Sequence, residues 1–334
     1  MIDRRDFLRV ASSSTAAALF SARVAPAVPA LSTDATKVRI IESGEICTGT
    51  PLIVAADLLR SEPGVKVDVM KKATGVEGFK AVAAGEADVT ISAVPSLLVR
   101  IDAGDPLLLM GGVHVGCFEL FGNDKIRSLR DLKGKSVAVT SLGSGRHVFL
   151  ASMLAHVGLD PNRDVQWVTE PAAKSIKLFA DGKIDAFMGF PPEPQELRAK
   201  GIGRVVVDTK ADKPWSQYLC CVAVANRDFV RKNPAAAKSA LRAILKASSM
   251  CALDPDGVSR LRVSKGYRAA EAFARQAIKE LPYGVWRDYH PEDSARFYAL
   301  RLNEAGLIKS SPQRVIAQGV DGRFLEEIKK ELKG

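Results

Sequence analysis

Two stretches, GEADVTISAVP (residues 85–95) and GKIDAFMGFPP (residues 182–192), decide the fold. In each, a glycine is followed three residues later by an aspartate, and a proline comes seven residues after that. The positions are Gly85, Asp88 and Pro95 in the first, and Gly182, Asp185 and Pro192 in the second. The glycine reads as a helix stop, and the segment after the aspartate reads as a strand. An offset of 97 residues relates the two copies.

The same elements recur outward from each copy. Before the first come KVRII (37–41), strand-like; TPLIVAADLLRS (50–61), with helical spacing of apolar residues; VKVDVM (65–70), strand-like; and VEGFKAVAAG (76–85), a short helix. The unit closes with the strand ADVTISA (87–93). Before the second come KSVAVTS (135–141), SGRHVFLASMLAHVG (144–158), VQWV (165–168) and AAKSIKLFADG (172–182), in the same order of types; IDAFMGFPP (184–192) closes it. Each β-α-β-α-β run implies a parallel sheet with right-handed crossovers, and two such runs imply a bilobed α/β protein.

Linking segments at 106–135 and 217–234 each hold an extended apolar piece, CFELFG (117–122) and YLCCVAVA (218–225). These are expected to be two crossover strands joining the lobes, an arrangement that builds a hinge. The chain after residue 234 reads as helical. The expected division is 37–120 with 222–334 as lobe one carrying the C-terminal helices, and 121–221 as lobe two.

Composition suits a globular protein of about two domains: 334 residues, 47% apolar and 26% charged. The net charge of +10 is spread among mixed charges, with no run of five like charges. Nucleic acid is therefore not an expected partner, while an anionic ligand or an anionic membrane surface suits the balance. The opening MIDRRDFLRVASSSTAAALFSARVAPAVPALS (1–32) has the three-part layout of an export signal. Arg4, Arg5 and Arg9 form a positive head, Val10 to Phe20 a short apolar run, and APA (25–27) and VPA (28–30) offer cleavage-type spacing. The RRDFL core resembles a twin-arginine signal, so a periplasmic protein cleaved near Ala27 or Ala30 is expected. Five cysteines, Cys47, Cys117, Cys220, Cys221 and Cys251, cannot all pair, and neighbours such as Cys220 and Cys221 very rarely bridge. Folding before export would bury them away from mispairing.

Taken in order, the signal, the twin units, the A-x-G-x-x-D strand entries, SLRDLKGKSVAV (128–139), ANRDFVRKNPAAAKSALRAILKA (225–247) and NEAGLIKSSP (303–312) resemble one known group. They are similar to periplasmic solute-binding proteins of the nitrate/sulfonate/taurine ABC-transporter class, within the broad thiamine-pyrimidine synthase-like family. The resemblance covers residues 37 to about 253. It implies a bilobed periplasmic-binding-protein fold of type II. It also implies a monomer that captures a small organic anion between the lobes and hands it to an ABC permease in the inner membrane.

In such a layout ligands sit beyond the carboxyl ends of the strands, where helix N-termini present free N–H groups. Loops 44–51, 72–77 and 92–96 of lobe one, and 141–149, 169–174 and 189–194 of lobe two, face that cleft. Thr48, Gly49 and Thr50 correspond to Ser144, Gly145, Arg146 and His147, each set standing ahead of the first helix of its lobe. Hydroxyls and glycine amides there suit an oxyanion, and Arg146 offers a planar two-donor fork. Thr50 and Ser144 equally suit helix caps, and Arg146 a solvated surface charge. Thr74, Gly75, Ser92, Val94, Glu170 and Gly189 complete the loop candidates. Phe190 and Trp215 fit either ligand stacking or core packing, and Cys117 stands at the crossover. Glu45 and Glu193 suit either an ammonium group or water. The first loop, with Glu45 and Cys47, departs from the hydroxyl-rich, aromatic loop of the group, which argues against nitrate, sulfonate or taurine itself as ligand.

The rival reading is a metal or cofactor role, or a thiamine-pyrimidine synthase-like enzyme. His114-x-x-Cys117, Cys220-Cys221 and Cys47 supply imidazole and thiolates, which suit zinc, copper or iron. The preferred reading takes these cysteines as buried small apolar residues, with no metal, no cofactor and no catalysis. Neither a strand–GxSxG–helix element, nor HExxH, nor GxxxxGK[ST] occurs.

Overall fold

A computed structural model describes residues 35–72, 74–268 and 271–332. The export-signal reading of residues 1–30 lies outside them. The chain runs β1 (Thr36–Ser43), α1 (Gly49–Arg60), β2 (Val65–Lys72), α2 (Gly75–Ala83), β3 (Val89–Ala93), α3 (Val94–Asp102) and β4 (Leu107–Val115). It continues with β5 (Glu119–Gly122), β6 (Lys135–Val139), α4 (Gly145–His156), β7 (Val165–Thr169), α5 (Ala172–Ala180), β8 (Ala186–Gly189), α6 (Glu193–Lys200) and β9 (Arg204–Asp208). Then come β10 (Leu219–Asn226), α7 (Arg227–Lys232), α8 (Pro234–Leu253), α9 (Pro255–Ser264), α10 (Glu271–Glu280), α11 (Pro291–Glu304), α12 (Pro312–Gly319) and α13 (Arg323–Glu331).

The repeated Gly-x-x-Asp has a physical cause. Gly85 and Gly182 adopt φ of 73° and 67° just past α2 and α5, a backbone region that side chains with a Cβ disfavour. Three residues on, the aspartate ties its strand to the first strand of its unit. The Asp88 carboxylate accepts from the Arg39 backbone N–H at 2.7 Å and from the Arg39 guanidinium. The Asp185 carboxylate accepts from the Ser136 N–H and hydroxyl, both at 3.0 Å. Each aspartate N–H in turn donates to the carbonyl of the same partner, Arg39 or Ser136. The device locks β1 beside β3 and β6 beside β8.

Two five-stranded sheets result, in the orders β2-β1-β3-β10-β4 and β7-β6-β8-β5-β9. In each, the three strands of the βαβαβ unit are parallel, as the unit pattern requires. The fourth strand is antiparallel to both its neighbours: β10 between β3 and β4, β5 between β8 and β9. The two expected crossover segments thus become matching strands of opposite sheets, CFELFG supplying β5 to the second and YLCCVAVA supplying β10 to the first. The chain passes between sheets just before each of them, at residues 116–118 and 209–218. The passages run side by side: Phe118 N–H donates to Thr209 Oγ1 at 3.0 Å, and Thr209 N–H to the Phe118 carbonyl at 3.1 Å.

The C-terminal helices pack on the first sheet. Leu241, Ile244 and Leu245 of α8 and Tyr298 of α11 are buried in a core continuous with β4 and β10. Burying each such leucine or isoleucine contributes about 1.5–3 kcal/mol. Among the described residues, no helix is long and apolar enough to cross a membrane.

Candidate functional site

A cavity of about 730 Å³ opens where the loops of both sheets meet. Its size suits a small organic molecule. The first-sheet side supplies Glu45, Thr48, Thr74, Gly75, Ile91, Ser92 and Ser96; the second-sheet side supplies Thr140 to Arg146, Val148 and Phe190. Phe118, from one inter-sheet passage, and Cys221 of β10 also line it. Val76 and Leu142, at 46% and 62% exposure, are apolar residues left to water on opposite sides of this cavity.

Of the residues singled out from the sequence, Thr48, Thr74, Gly75, Ser92, Ser144, Gly145, Arg146 and Phe190 stand in the wall. Gly49, Thr50, Val94, Cys117, His147, Glu170, Gly189 and Trp215 do not line it. Gly49 and Thr50 are buried in the first turn of α1. A Cβ on Gly49 would fall 2.2 Å from the Ser43 carbonyl oxygen, so that glycine serves the turn. Val94 and Gly189 are buried, and Glu170 pairs with Lys174 of α5 at 2.7 Å. Trp215 packs in an aromatic cluster with Phe149, His156 and Phe297. His147 turns away from the ligand space to support it: its Nδ1 accepts the Gly143 N–H at 3.1 Å, and its ring meets Trp167 edge-on. Burial holds its pKa below the ordinary value of 6.5, which keeps Nδ1 a lone-pair acceptor.

Arg146 does not offer the free fork expected of it. Its guanidinium forms a two-pronged ion pair with Glu193 and donates to the Met188 carbonyl at 3.0 Å. The same carboxylate accepts the Phe190 N–H at 3.1 Å. With 11% and 14% of these side chains exposed, the pair is built into the wall. Its effect is to fix Phe190, whose ring lies 5.4 Å from that of Phe118.

Glu45 is organised by neutral donors. Thr48 Oγ1 donates to it at 2.8 Å and the Gly75 N–H at 2.9 Å. A Cβ on Gly75 would fall 2.4 Å from the Glu45 carboxylate, so glycine is needed for this close approach. Buried Arg262 of α9 donates to the Gly44 carbonyl and steadies the loop that carries Glu45. Across the cavity the Ser144 hydroxyl caps α4, accepting from His147 N–H at 3.3 Å. The backbone N–H groups of the first turn of α4 have no intrahelical acceptor and give this end a partial positive charge.

Sequence reasoning passed over Ser96 and Phe118. Ser96 belongs to a loop identified as facing the cleft, in the first turn of α3. Its Oγ is shielded from water and has no hydrogen-bond partner. It faces the start of α4: a Cβ on Gly145 would lie 3.7 Å from it. An unsatisfied hydroxyl on the first-sheet side therefore stands against a positive helix end on the second-sheet side.

The cysteines gather at the back of the cavity: Cys221 reaches its wall, and Cys47, Cys117 and Cys220 lie behind it. All four are buried free thiols. Burial pushes Cys47, Cys117 and Cys220 well above the ordinary thiol range; hydrogen bonding with Cys117 leads in pushing Cys221 up to about 11. His114 is held at about 4 by burial, against the raising influence of the Val115 and Cys47 carbonyls.

Comparison with known proteins places this geometry. The chain is 24% identical over 209 residues to the 4-amino-5-hydroxymethyl-2-methylpyrimidine phosphate synthase THI13 of Saccharomyces cerevisiae, a match covering 58% of this chain and 60% of the yeast protein. Among solved structures it is similar to the periplasmic nitrate-binding protein NrtA from Synechocystis PCC 6803, with a TM-score of 0.70, 16% identity and 89% of each chain covered. It is also similar to the alkanesulfonate-binding protein SsuA from Xanthomonas axonopodis pv. citri bound to MOPS, with a TM-score of 0.65, 19% identity, and 86% of this chain and 99% of that one covered. These likenesses agree with a periplasmic-binding-protein fold for the two mixed sheets. The NMT1/THI5-like family model matches residues 50–258, from α1 through α9, and the chain belongs to that family.

Proposed function

We propose that this chain is the substrate-binding component of an ABC importer, exported to the periplasm through its twin-arginine signal and working as a monomer without catalysis. It captures a small organic anion between two hinged lobes and presents it to a permease in the inner membrane. The observation that carries the reading is Ser96 Oγ, shielded and without a partner, standing at the N-terminus of α4 where the two sides of the cavity meet. A ligand anion seated there takes hydrogen bonds from both lobes at once, so binding favours the closed state.

The rest of the cavity narrows the ligand. Glu45 faces the space with only neutral donors on it, so it accepts readily from an N–H group of a ligand. Phe118 and Phe190 supply apolar faces for a flat or aliphatic body. The best-supported ligand is an organic molecule with an anionic end toward α4 and an N–H donor toward Glu45. The solved nitrate-binding and alkanesulfonate-binding proteins support capture of anions by this fold. The yeast synthase relative keeps an enzymatic reading in view.

Native mass spectrometry of protein purified from its own host tests the proposal. A single small organic ligand released unchanged on denaturation is expected. Conversion of that molecule by the purified protein would overturn the binding-only reading.

A further inference from the structure

Three cysteines and one histidine from four separate segments converge directly behind the cleft. Cys47 lies in the loop between β1 and α1, His114 near the end of β4, Cys117 in the passage to β5, and Cys221 on β10. All four are buried, and their donor atoms, three Sγ and one ring nitrogen, lie within 4.8 Å of one another. Tetrahedral zinc, with Zn–S near 2.3 Å and Zn–N near 2.0–2.1 Å, needs donors about 3.5–4 Å apart. The cluster is within a small contraction of that spacing.

The histidine shows a second, independent sign. Its Nδ1 lies 3.0 Å from the Val115 carbonyl, which can only accept. Nδ1 therefore carries the proton, and Nε2 is the lone-pair nitrogen. That Nε2 is buried and has no hydrogen-bond partner. A neutral imidazole whose other N–H is fixed by a backbone carbonyl is the arrangement that metal-ligating histidines adopt. The Cys47 loop is held in the same way: Tyr283 Oη donates to the Cys47 carbonyl at 3.2 Å and stacks edge-on with His114.

We propose that Cys47, His114, Cys117 and Cys221 form a closed S₃N site for a thiophilic divalent cation of the zinc class. Three thiolates leave a net charge of −1 with a dication but −2 with a monocation, and a buried site favours the smaller imbalance. The ion ties the inter-sheet passage at Cys117 to the first sheet, immediately behind Cys221 in the cleft wall. It acts as a staple at the root of the hinge. This inference does not depend on which ligand fills the cleft.

The test uses the full chain, purified under reducing conditions, stripped with chelator and titrated with Zn²⁺ against a competing chelator. One tightly held zinc per chain is expected, and Co²⁺ in its place should show thiolate-to-metal charge-transfer absorption. Cys47→Ser and Cys221→Ser should each weaken the metal at least ~10–100-fold, the range that changes around the ligands alone can reach. Cys251→Ser, which removes a buried thiol outside the cluster, should leave affinity unchanged. Should a cluster variant fail to fold, the cobalt spectrum of the unaltered chain decides the question. No uptake by the reduced chain, cobalt absorption without a thiolate band, or equal affinity in folded Cys47→Ser and Cys221→Ser would overturn the site. So would a disulfide between Cys117 and Cys220, whose sulfurs lie 3.3 Å apart, in the protein as purified.

Discussion

Arg146 and Glu193 form a two-pronged ion pair inside the cleft wall, and the same Glu193 carboxylate accepts the Phe190 N–H. This cavity-lining cation is thus already neutralised, and its task is to hold an aromatic wall in place. Removing one partner leaves a largely buried charge alone. For a fully buried pair that costs about 3–5 kcal/mol, and for this slightly exposed one about 2–3 kcal/mol is expected of Arg146→Ala. Urea unfolding measures it. A loss below about 1 kcal/mol would class the pair with exposed surface bridges instead.

Ser96→Ala separates binding from folding. The hydroxyl has no partner in the protein, so its removal should leave stability within about 0.5 kcal/mol of the parent. Ligand affinity should fall about ten- to a hundredfold, the effect of losing a hydrogen bond to a charged group. Calorimetry with the co-purified ligand reads both affinity and stoichiometry. Unchanged affinity would remove Ser96 from the site.

The repeated aspartates should carry equal structural weight. Asp88→Ala frees a buried strand N–H and breaks the pair with Arg39, whose side chain is one-third exposed. About 2–3 kcal/mol of destabilisation is expected, discounted for that exposure. Asp185→Ala, which releases Ser136 and Asn123, should cost a similar amount. A near-neutral result at either position would contradict the clamp reading of the repeat.

His147 gives the cleft a pH dependence with a definite sign. Burial lowers its folded pKa, so the folded state prefers the neutral ring. The associated stability is complete above the unfolded value of about 6.5 and is lost as pH falls from there through the lower folded value. Protonation also removes the acceptor for Gly143 N–H and loosens the loop before α4. Unfolding free energy should therefore drop as pH falls below 6.5, and less steeply in His147→Gln. An identical slope in that variant would rule out His147 as a source.

Much of this was legible in the sequence because the decisive features act locally. The glycine and aspartate of each unit serve the helix end and strand beside them, so their spacing survives as a visible repeat. The cleft loops follow from strand direction. What escaped depends on partners far away in the chain. β4, LLLMGGVHV, is buried along its whole length, since it is covered on both faces, and it lacks the alternation that marks a half-buried strand. Its pairing with β10 shifts register three times. Arg146 finds Glu193 47 residues later, and nothing in either local sequence reveals that the fork is taken. The cysteines and histidine that the rival reading gathered do converge, but the packing selects Cys47, His114, Cys117 and Cys221 and leaves Cys220 out, a choice the sequence does not show.

The most direct test of capture between lobes is small-angle scattering of the purified protein with and without the ligand that co-purifies with it. The two passages beside Phe118 and Thr209 leave few backbone angles to absorb a rotation, and Val76 and Leu142 stand exposed at the cavity. The account predicts a smaller radius of gyration in the liganded protein, as the lobes close and these apolar side chains leave water. The same radius in both states, with the ligand shown to be bound, would contradict it.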